Sequence, residues 1–402
     1  MTSQKAQAMN ILYLDATRSL YGASRALLTL LENINRQEIR PYIVLANDVE
    51  DDLRLCAELN RLHIHYWEYP LAVLRRQKYL NPRGAIFIIW SLVRSVGFLR
   101  GIIRKYEIDL VQTNTSTILS GAVAAALSGV PHVWHVHEIF RRWEGKILTR
   151  LLYALSSCVV APSEATARNL LLGNPALKRK LLVIKNGIDP KPFRTVAKSD
   201  IDRLRHDWSI SPTDRVVGMV GRIGMWKGEE QFVQMARLVC QRRENVKFVI
   251  VGGTFSNSEH HLTSLQSIID TNGLDTHVLV AGPREDIAVI LNLFDVLAHL
   301  PVRPEPFGLV AVEAMSAGKP VVAAAIGGLK EIVVHGSTGF LTPPGDVENA
   351  AERVITLLGD DLLRARMGLA GSKRVDSQFS SATYATRFVT LYHTILGNHR
   401  GK

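Results

Sequence analysis

Short apolar runs rich in β-branched residues alternate along the chain with longer stretches whose apolar positions recur every three to four residues. The first pattern is that of buried strands and the second that of amphipathic helices. Their alternation predicts βα units around parallel sheets. In the first half the strand candidates are Ile11–Asp15, Tyr42–Ala46, Leu110–Asn114, His132–Val136 and Cys158–Ser163. In the second half they are Val216–Gly221, Lys247–Gly253, Val278–Gly282, Val296–Leu300 and Pro320–Ala324. Between the halves, Asn186–Arg205 is rich in proline and charge, a composition that predicts an interdomain linker. There is no tandem repeat and no low-complexity segment. The expectation is two doubly wound α/β domains facing each other, with ligands at the carboxyl ends of the strands and the cleft as the default site.

One helix breaks the pattern in an informative way. In "EPFGLVAVEAMSAGKPVVA" the segment from Leu309 to Ala317 is apolar in nearly every direction, which predicts burial, yet Glu313 stands within it. A buried carboxylate must be paired or hydrogen-bonded, because an isolated buried charge costs several kcal/mol. Pro306 and Gly308 place Glu305 in the loop just before that helix, whose free first-turn amides favour an anion. One carboxylate outside the helix and one inside it can bracket a polyhydroxylated ligand beside a phosphate. The plainer alternatives are a charge at a positive helix end and a satisfied core carboxylate.

The strand ending at Gly221 runs into "GRIGMWKG", Gly221 to Gly228. Glycines there let backbone amides approach an anion, and Arg222 and Lys227 add a fork of donors and a point charge. Ahead of the helix "EEQFVQMARLV" this reads either as a diphosphate cradle or as a solvated turn with two surface cations. After the first strand, "GASRA" matches neither the dinucleotide-binding nor the P-loop spacing, but puts Gly22 in a loop before an apolar helix.

Composition is that of an ordinary globular protein: 402 residues, 47% hydrophobic and 21% charged, enough for two or three domains with real cores. Three cysteines, Cys56, Cys158 and Cys240, form no metal or disulfide pattern and suit a reducing cytoplasm. The first ten residues lack the apolar core of a signal peptide. The longest apolar stretch, Gly84–Val93, is too short for the roughly 18 to 20 residues of a membrane span. Charge is uneven. Residues 1–190 carry 24 Lys/Arg against 15 Asp/Glu, whereas the remainder carries 24 against 22. From Leu74 to Lys105 eight cations, among them Arg75, Arg76, Lys78, Arg83, Arg94 and Arg100, interleave with Tyr79, Ile86, Phe87, Trp90 and Val93, with no acid. Such a stretch suits an anionic membrane surface, or else a core helix with a solvated arginine face. "IFRRWEGKILTR" (Ile139 to Arg150) extends the theme. No nucleic-acid-binding module is recognisable. The acidic clusters "NDVEDD" and "SDID" are read as helix starts, with a D-x-D metal site as the alternative.

"GRIGMWKG" together with "EPFGLVAVEAMSAGKPVVAAAIGGLKEIVVHGSTGFLTPPGD" resembles the retaining glycosyltransferases of family four, which have the GT-B fold. Glu305 and Glu313 match that family's E-x7-E motif, and "YGASRALL", "WHVHEIF" and "IKNGIDP" look like its glycine loop, histidine-bearing strand end and interdomain entry. The resemblance implies two Rossmann-like domains, 1–188 and 189–379, with a terminal helix at about 380–402 crossing back to the first. It implies that Arg222 and Lys227 clamp the diphosphate of a nucleotide-sugar donor and that Glu313 accepts from its ribose. Glu305 would bind the sugar hydroxyls, and the amides of Phe307, Gly308 and Leu309 would meet phosphate and sugar. Arg284 would lie near the base, Gly22 by the glycine loop, and His137 across the cleft near the anomeric centre. The implied reaction is retaining hexosyl transfer to a glycan or lipid-linked acceptor in cell-surface polysaccharide or glycolipid synthesis. No metal or cofactor is expected, and the place is cytoplasmic, peripheral to the inner membrane face. A sugar-nucleotide epimerase or hydrolase on the same fold, and a non-catalytic nucleotide-sugar-binding protein, are the rival readings.

Overall fold

The computed structural model describes residues 8–49, 52–74, 82–224, 226–254 and 260–400, grouped in two compact units, Met1–Gly187 with Ser381–Lys402 and Ile188–Ser380. Glu50, Asp51, Arg75, Arg76, Lys78, Tyr79 and Met225 lie outside the described residues, as do the side chains of Arg83, Ile86, Phe87, Arg142, Trp143 and Glu144.

The first unit is built on a seven-stranded parallel sheet. Its strands are β1 (Met9–Asp15), β2 (Ile39–Ala46), β3 (His65–Tyr69), β4 (Leu110–Thr113), β5 (His132–His135), β6 (Cys158–Ala161) and β7 (Leu181–Val183), in the order β3-β2-β1-β4-β5-β6-β7. β1, "MNILYLD", is buried at every position because helices cover both faces of a parallel sheet. Helix Ser381–Arg400 packs in this unit against helix Gly22–Asn33. It buries Tyr384, Phe388 and Tyr392, and the Tyr392 hydroxyl donates to Gln112 Oε1 at 2.7 Å.

The second unit repeats the plan with β8 (Arg215–Val220), β9 (Val246–Val251), β10 (Val278–Gly282), β11 (Val296–His299), β12 (Val321–Ala324) and β13 (Gly339–Thr342), ordered β10-β9-β8-β11-β12-β13. The chain enters and leaves this unit at one place, where Ile188 N–H donates to Phe379 O at 2.8 Å. In both sheets the strand order reverses beside the first strand, between β1 and β4 and between β8 and β11. In open α/β sheets such reversal points are where loops diverge beyond the carboxyl ends of the strands and ligands are expected.

Two sequence expectations are corrected here. The proline- and charge-rich stretch Asn186–Arg205, expected as an interdomain linker, does hold the boundary between the units at Gly187 and Ile188, but most of it belongs to the second unit. It carries helices Lys191–Arg194 and Lys198–Asp207, which bury Phe193 and Leu204 in the core of the second unit. Strands β3, β7 and β13 were not anticipated; each is a sheet edge.

Among the described residues no helix is long and apolar enough to cross a membrane.

Candidate functional site

At the β8–β11 switch point three loops are drawn together by glycine. Gly228 holds φ at +88°, and a Cβ there would stand 1.9 Å from Leu300 O, so only glycine lets the loop after β8 lie against the end of β11. The loop's other side is closed by Gly224 N–H, which donates to Glu229 Oε1 at 2.6 Å. Glu229 opens helix Glu229–Cys240 and is buried, which pushes its carboxyl pKa up.

This packing brings Lys227 Nζ to 2.6 Å from Glu305 Oε1, with the ammonium also 4.2 Å from the centre of the Trp226 ring. The other carboxylate oxygen, Oε2, accepts from Nε2 of His299, the last residue of β11, at 2.9 Å. Burial alone would raise the Glu305 pKa, but the hydrogen bond from His299 and the ion pair with Lys227 outweigh it and bring the value down to about 2. The carboxylate is therefore ionised at every physiological pH. Its backbone is held as firmly: Gly328 N–H donates to Glu305 O at 2.8 Å.

Gly308, at φ +111°, turns the chain into helix Leu309–Ser316. Phe307 is buried edge-on to Phe379 at 5.9 Å, Leu309 is half-buried, and Glu313 is 1% exposed in the second turn of the helix. Arg222 is half-buried in the loop after β8. Arg284 follows β10 and is engaged by Asp286 at 2.9 and 2.7 Å, which raises the guanidinium pKa further.

The remaining anticipated residues belong to the first unit. Gly22 is exposed at the start of helix Gly22–Asn33, with open space where a Cβ would go. His137 is half-buried just beyond β5 and shares a 3.1 Å hydrogen bond between its Nε2 and His135 Nδ1. Burial depresses the His137 pKa to about 3 and that of His135 well below the ordinary value, so both rings are neutral at neutral pH.

Sequence reasoning passed over several groups at these strand ends. His299 is one. Asp15, the last residue of β1, accepts from Ser24 Oγ at 3.1 Å and Asn114 Nδ2 at 2.8 Å, and burial raises its pKa to about 6. Glu138, next to His137, accepts from Thr115 Oγ1, from Ser116 Oγ at 3.0 Å and from His137 N–H at 3.1 Å. A shared signal was present: each is a polar residue at or just beyond the carboxyl end of an apolar strand. Asp52 and Asp200, from the two acidic clusters, lie near helix starts, Asp52 accepting from Arg54 N–H at 3.2 Å.

Residues 21–191 match the family described as Glycosyltransferase Family 4, and residues 200–374 match Glycosyl transferases group 1. The chain is 27% identical over 261 residues to the capsular polysaccharide biosynthesis glycosyltransferase CapM of Staphylococcus aureus, covering 64% of this chain and 66% of that one. To a D-inositol 3-phosphate glycosyltransferase of Corynebacterium aurimucosum it is 29% identical over 322 residues, 75% and 76% of the two chains. The match spans about half to two thirds of the length of the first curated relatives. Among solved structures, HepE of Anabaena in complex with UDP and glucose superposes with a TM-score of 0.82 at 26% identity, covering 96% of this chain and all of that one. The fold is thus GT-B, and the chain belongs to the glycosyltransferases of the family-four type.

Proposed function

We propose that the chain transfers a hexosyl group from a nucleoside diphosphate sugar to a hydroxyl of a glycan or lipid-linked acceptor, with retention at the anomeric carbon, in cell-surface polysaccharide or glycolipid synthesis. The observation that carries this reading is the Glu305 carboxylate gripped by Lys227 and His299 beside the glycine-capped start of helix Leu309–Ser316. Cleavage of the sugar–phosphate bond develops positive charge at the anomeric carbon and negative charge on the departing diphosphate. Arg222, Lys227 and the amides of Phe307, Gly308 and Leu309 are suited to stabilise that leaving group as preorganised cations and dipoles, and a metal ion has no step to perform in this scheme. Glu305 takes the sugar hydroxyls, Glu313 the ribose, Arg284 the region of the base, and His137 and Gly22 act from the first unit. HepE, a likeness of 26% identity, is known in complexes with UDP, with UDP and glucose, and with UDP-glucose, which puts a uridine donor first.

The acceptor side is read from the first unit. Helix Pro82–Lys105 exposes Ile89, Trp90 and Val93, with the Arg94 guanidinium 4.4 Å from the Trp90 ring, and it contains no acid. A face of that kind favours peripheral attachment to an anionic bilayer at the cytoplasmic side.

The test is thermal unfolding of wild type and Arg222→Ala with UDP, GDP and ADP, without added metal. A nucleotide at about 100 times its dissociation constant stabilises by about 2.7 kcal/mol. One nucleotide raising the melting temperature of wild type, and much less that of the variant, is the expected result. No shift with any of the three overturns the proposal. Glycosidic product from the corresponding sugar nucleotide, rather than free sugar or an epimer, then separates transfer from hydrolysis and epimerisation. Binding without turnover would favour a non-catalytic protein.

A further inference from the structure

We infer that His299 is a positioning residue that holds Glu305 ready for the donor sugar, whereas the Lys227–Glu305 ion pair is a resting contact that opens when a diphosphate arrives. This rests on the donor-binding reading above.

The two oxygens of Glu305 have partners of different character. Oε2 is held by His299, whose side chain is 1% exposed and whose backbone belongs to a central strand paired with β8 on one side and β12 on the other. With its backbone fixed in a central strand and its side chain buried, the ring has little room to turn away. Oε1 is held by Lys227, a point charge on a four-carbon stem in a loop. The Glu305 backbone is fixed as well, by the Gly328 amide and by close packing against Gly327. Of the groups around this carboxylate, the lysine is the one built to move.

A diphosphate near the glycine loop competes for that lysine, since a multiply charged anion attracts an ammonium more strongly than one carboxylate does. Once Lys227 turns to phosphate, Glu305 Oε1 has lost its donor. A buried carboxylate oxygen left unsatisfied is costly, and a hydroxyl of the donor sugar removes that cost. The nucleoside diphosphate alone must therefore bind against this penalty, and the sugar nucleotide does not. Discrimination between the two depends on Oε2 staying on His299, because only then does Oε1 point where Lys227 left it.

The experiment titrates wild type, His299→Gln, His299→Asn and His299→Leu with each diphosphate that stabilises wild type and with its glucosyl ester, beginning with UDP and UDP-glucose. In wild type the ester is expected to bind at least about tenfold more tightly, the worth of one hydrogen bond to a charged group. Leucine and asparagine should abolish most of that preference while leaving the UDP dissociation constant within about twofold. Glutamine, whose amide nitrogen reaches the position of Nε2, should restore it. Should leucine fail to fold, the contrast between glutamine and asparagine decides alone. Equal loss for both ligands in all variants, no loss in any, or no preference in wild type overturns the inference and leaves the donor reading intact. A wild type that binds no nucleotide overturns both.

Discussion

A Cβ added to Gly327 would stand 2.2 Å from the carbonyl oxygen of Glu305, and Gly327 holds φ at +59°. Both facts require glycine at this position, in a loop whose neighbour Gly328 donates its amide to Glu305. Gly327→Ala is therefore expected to destabilise by about 2 kcal/mol or more, from left-handed strain plus the clash, and to weaken donor binding because Glu305 must shift. Gly22→Ala, with open space and no positive φ, should leave the melting temperature unchanged. Paired thermal unfolding curves check both.

Glu305 links stability to acid. Its folded pKa is about 2 against an ordinary 4.5, so its contribution is complete above about pH 5 and is lost as pH falls towards 2. A shift of that size corresponds to about 3 kcal/mol. Urea unfolding of wild type and Glu305→Gln should show the largest gap above pH 5, narrowing steadily below it. A gap that does not change between pH 5 and 3 would mean that the carboxylate gains nothing from Lys227 and His299.

Asp15 works in the opposite sense. Burial raises its pKa from 3.8 to about 6, so the folded state prefers the protonated acid. Stability from this group is present below about pH 4 and is lost as pH rises through 6. Relative to Asp15→Asn, wild type should lose ground between pH 4 and pH 6 and hold a constant difference above pH 7, as read from denaturant midpoints.

Glu138 ties the loop after β4 to the segment after β5 through Thr115, Ser116 and the His137 amide. Glu138→Ala leaves buried donors without an acceptor, at an expected cost of about 2 to 3 kcal/mol. The variant should also lose activity out of proportion to its stability, since the His137 backbone loses its acceptor and the ring is held only through His135; midpoint and turnover measured on the same preparation test this.

The exposed face of helix Pro82–Lys105 gives a separable prediction. Replacing Trp90 and Val93 with serine should sharply reduce cosedimentation with vesicles of phosphatidylglycerol. Thermal stability should stay within about 0.5 kcal/mol, because both side chains are exposed. Vesicles of phosphatidylcholine should bind weakly in either case. Equal binding of wild type and variant to anionic vesicles would remove this face from the membrane reading.

The amino-acid sequence by itself determined the inner strands of both sheets and the edge strand β10, because these runs are mostly apolar and β-branched and stand out from their helices. It also singled out Glu305, Glu313, Arg222 and Lys227, since a carboxylate in an all-apolar helix and cations in a glycine loop are local anomalies. The tertiary structure alone decided the rest. Strands β3 and β7 are partly solvated sheet edges, and β13 is a mostly buried edge of four residues; "HYWEY" and "GFLT" carry no uniform apolar run, and β7 is only three residues long. The helices within Asn186–Arg205 look like linker because their stability comes from Phe193 and Leu204 packing on the second unit's core, not from periodicity. The grip on Glu305 joins a lysine 78 residues upstream to a histidine at a strand end. Local patterning is short-ranged and cannot register a partner at that distance; the close approach of Gly228, Gly327 and Gly328 to neighbouring loops brings it there.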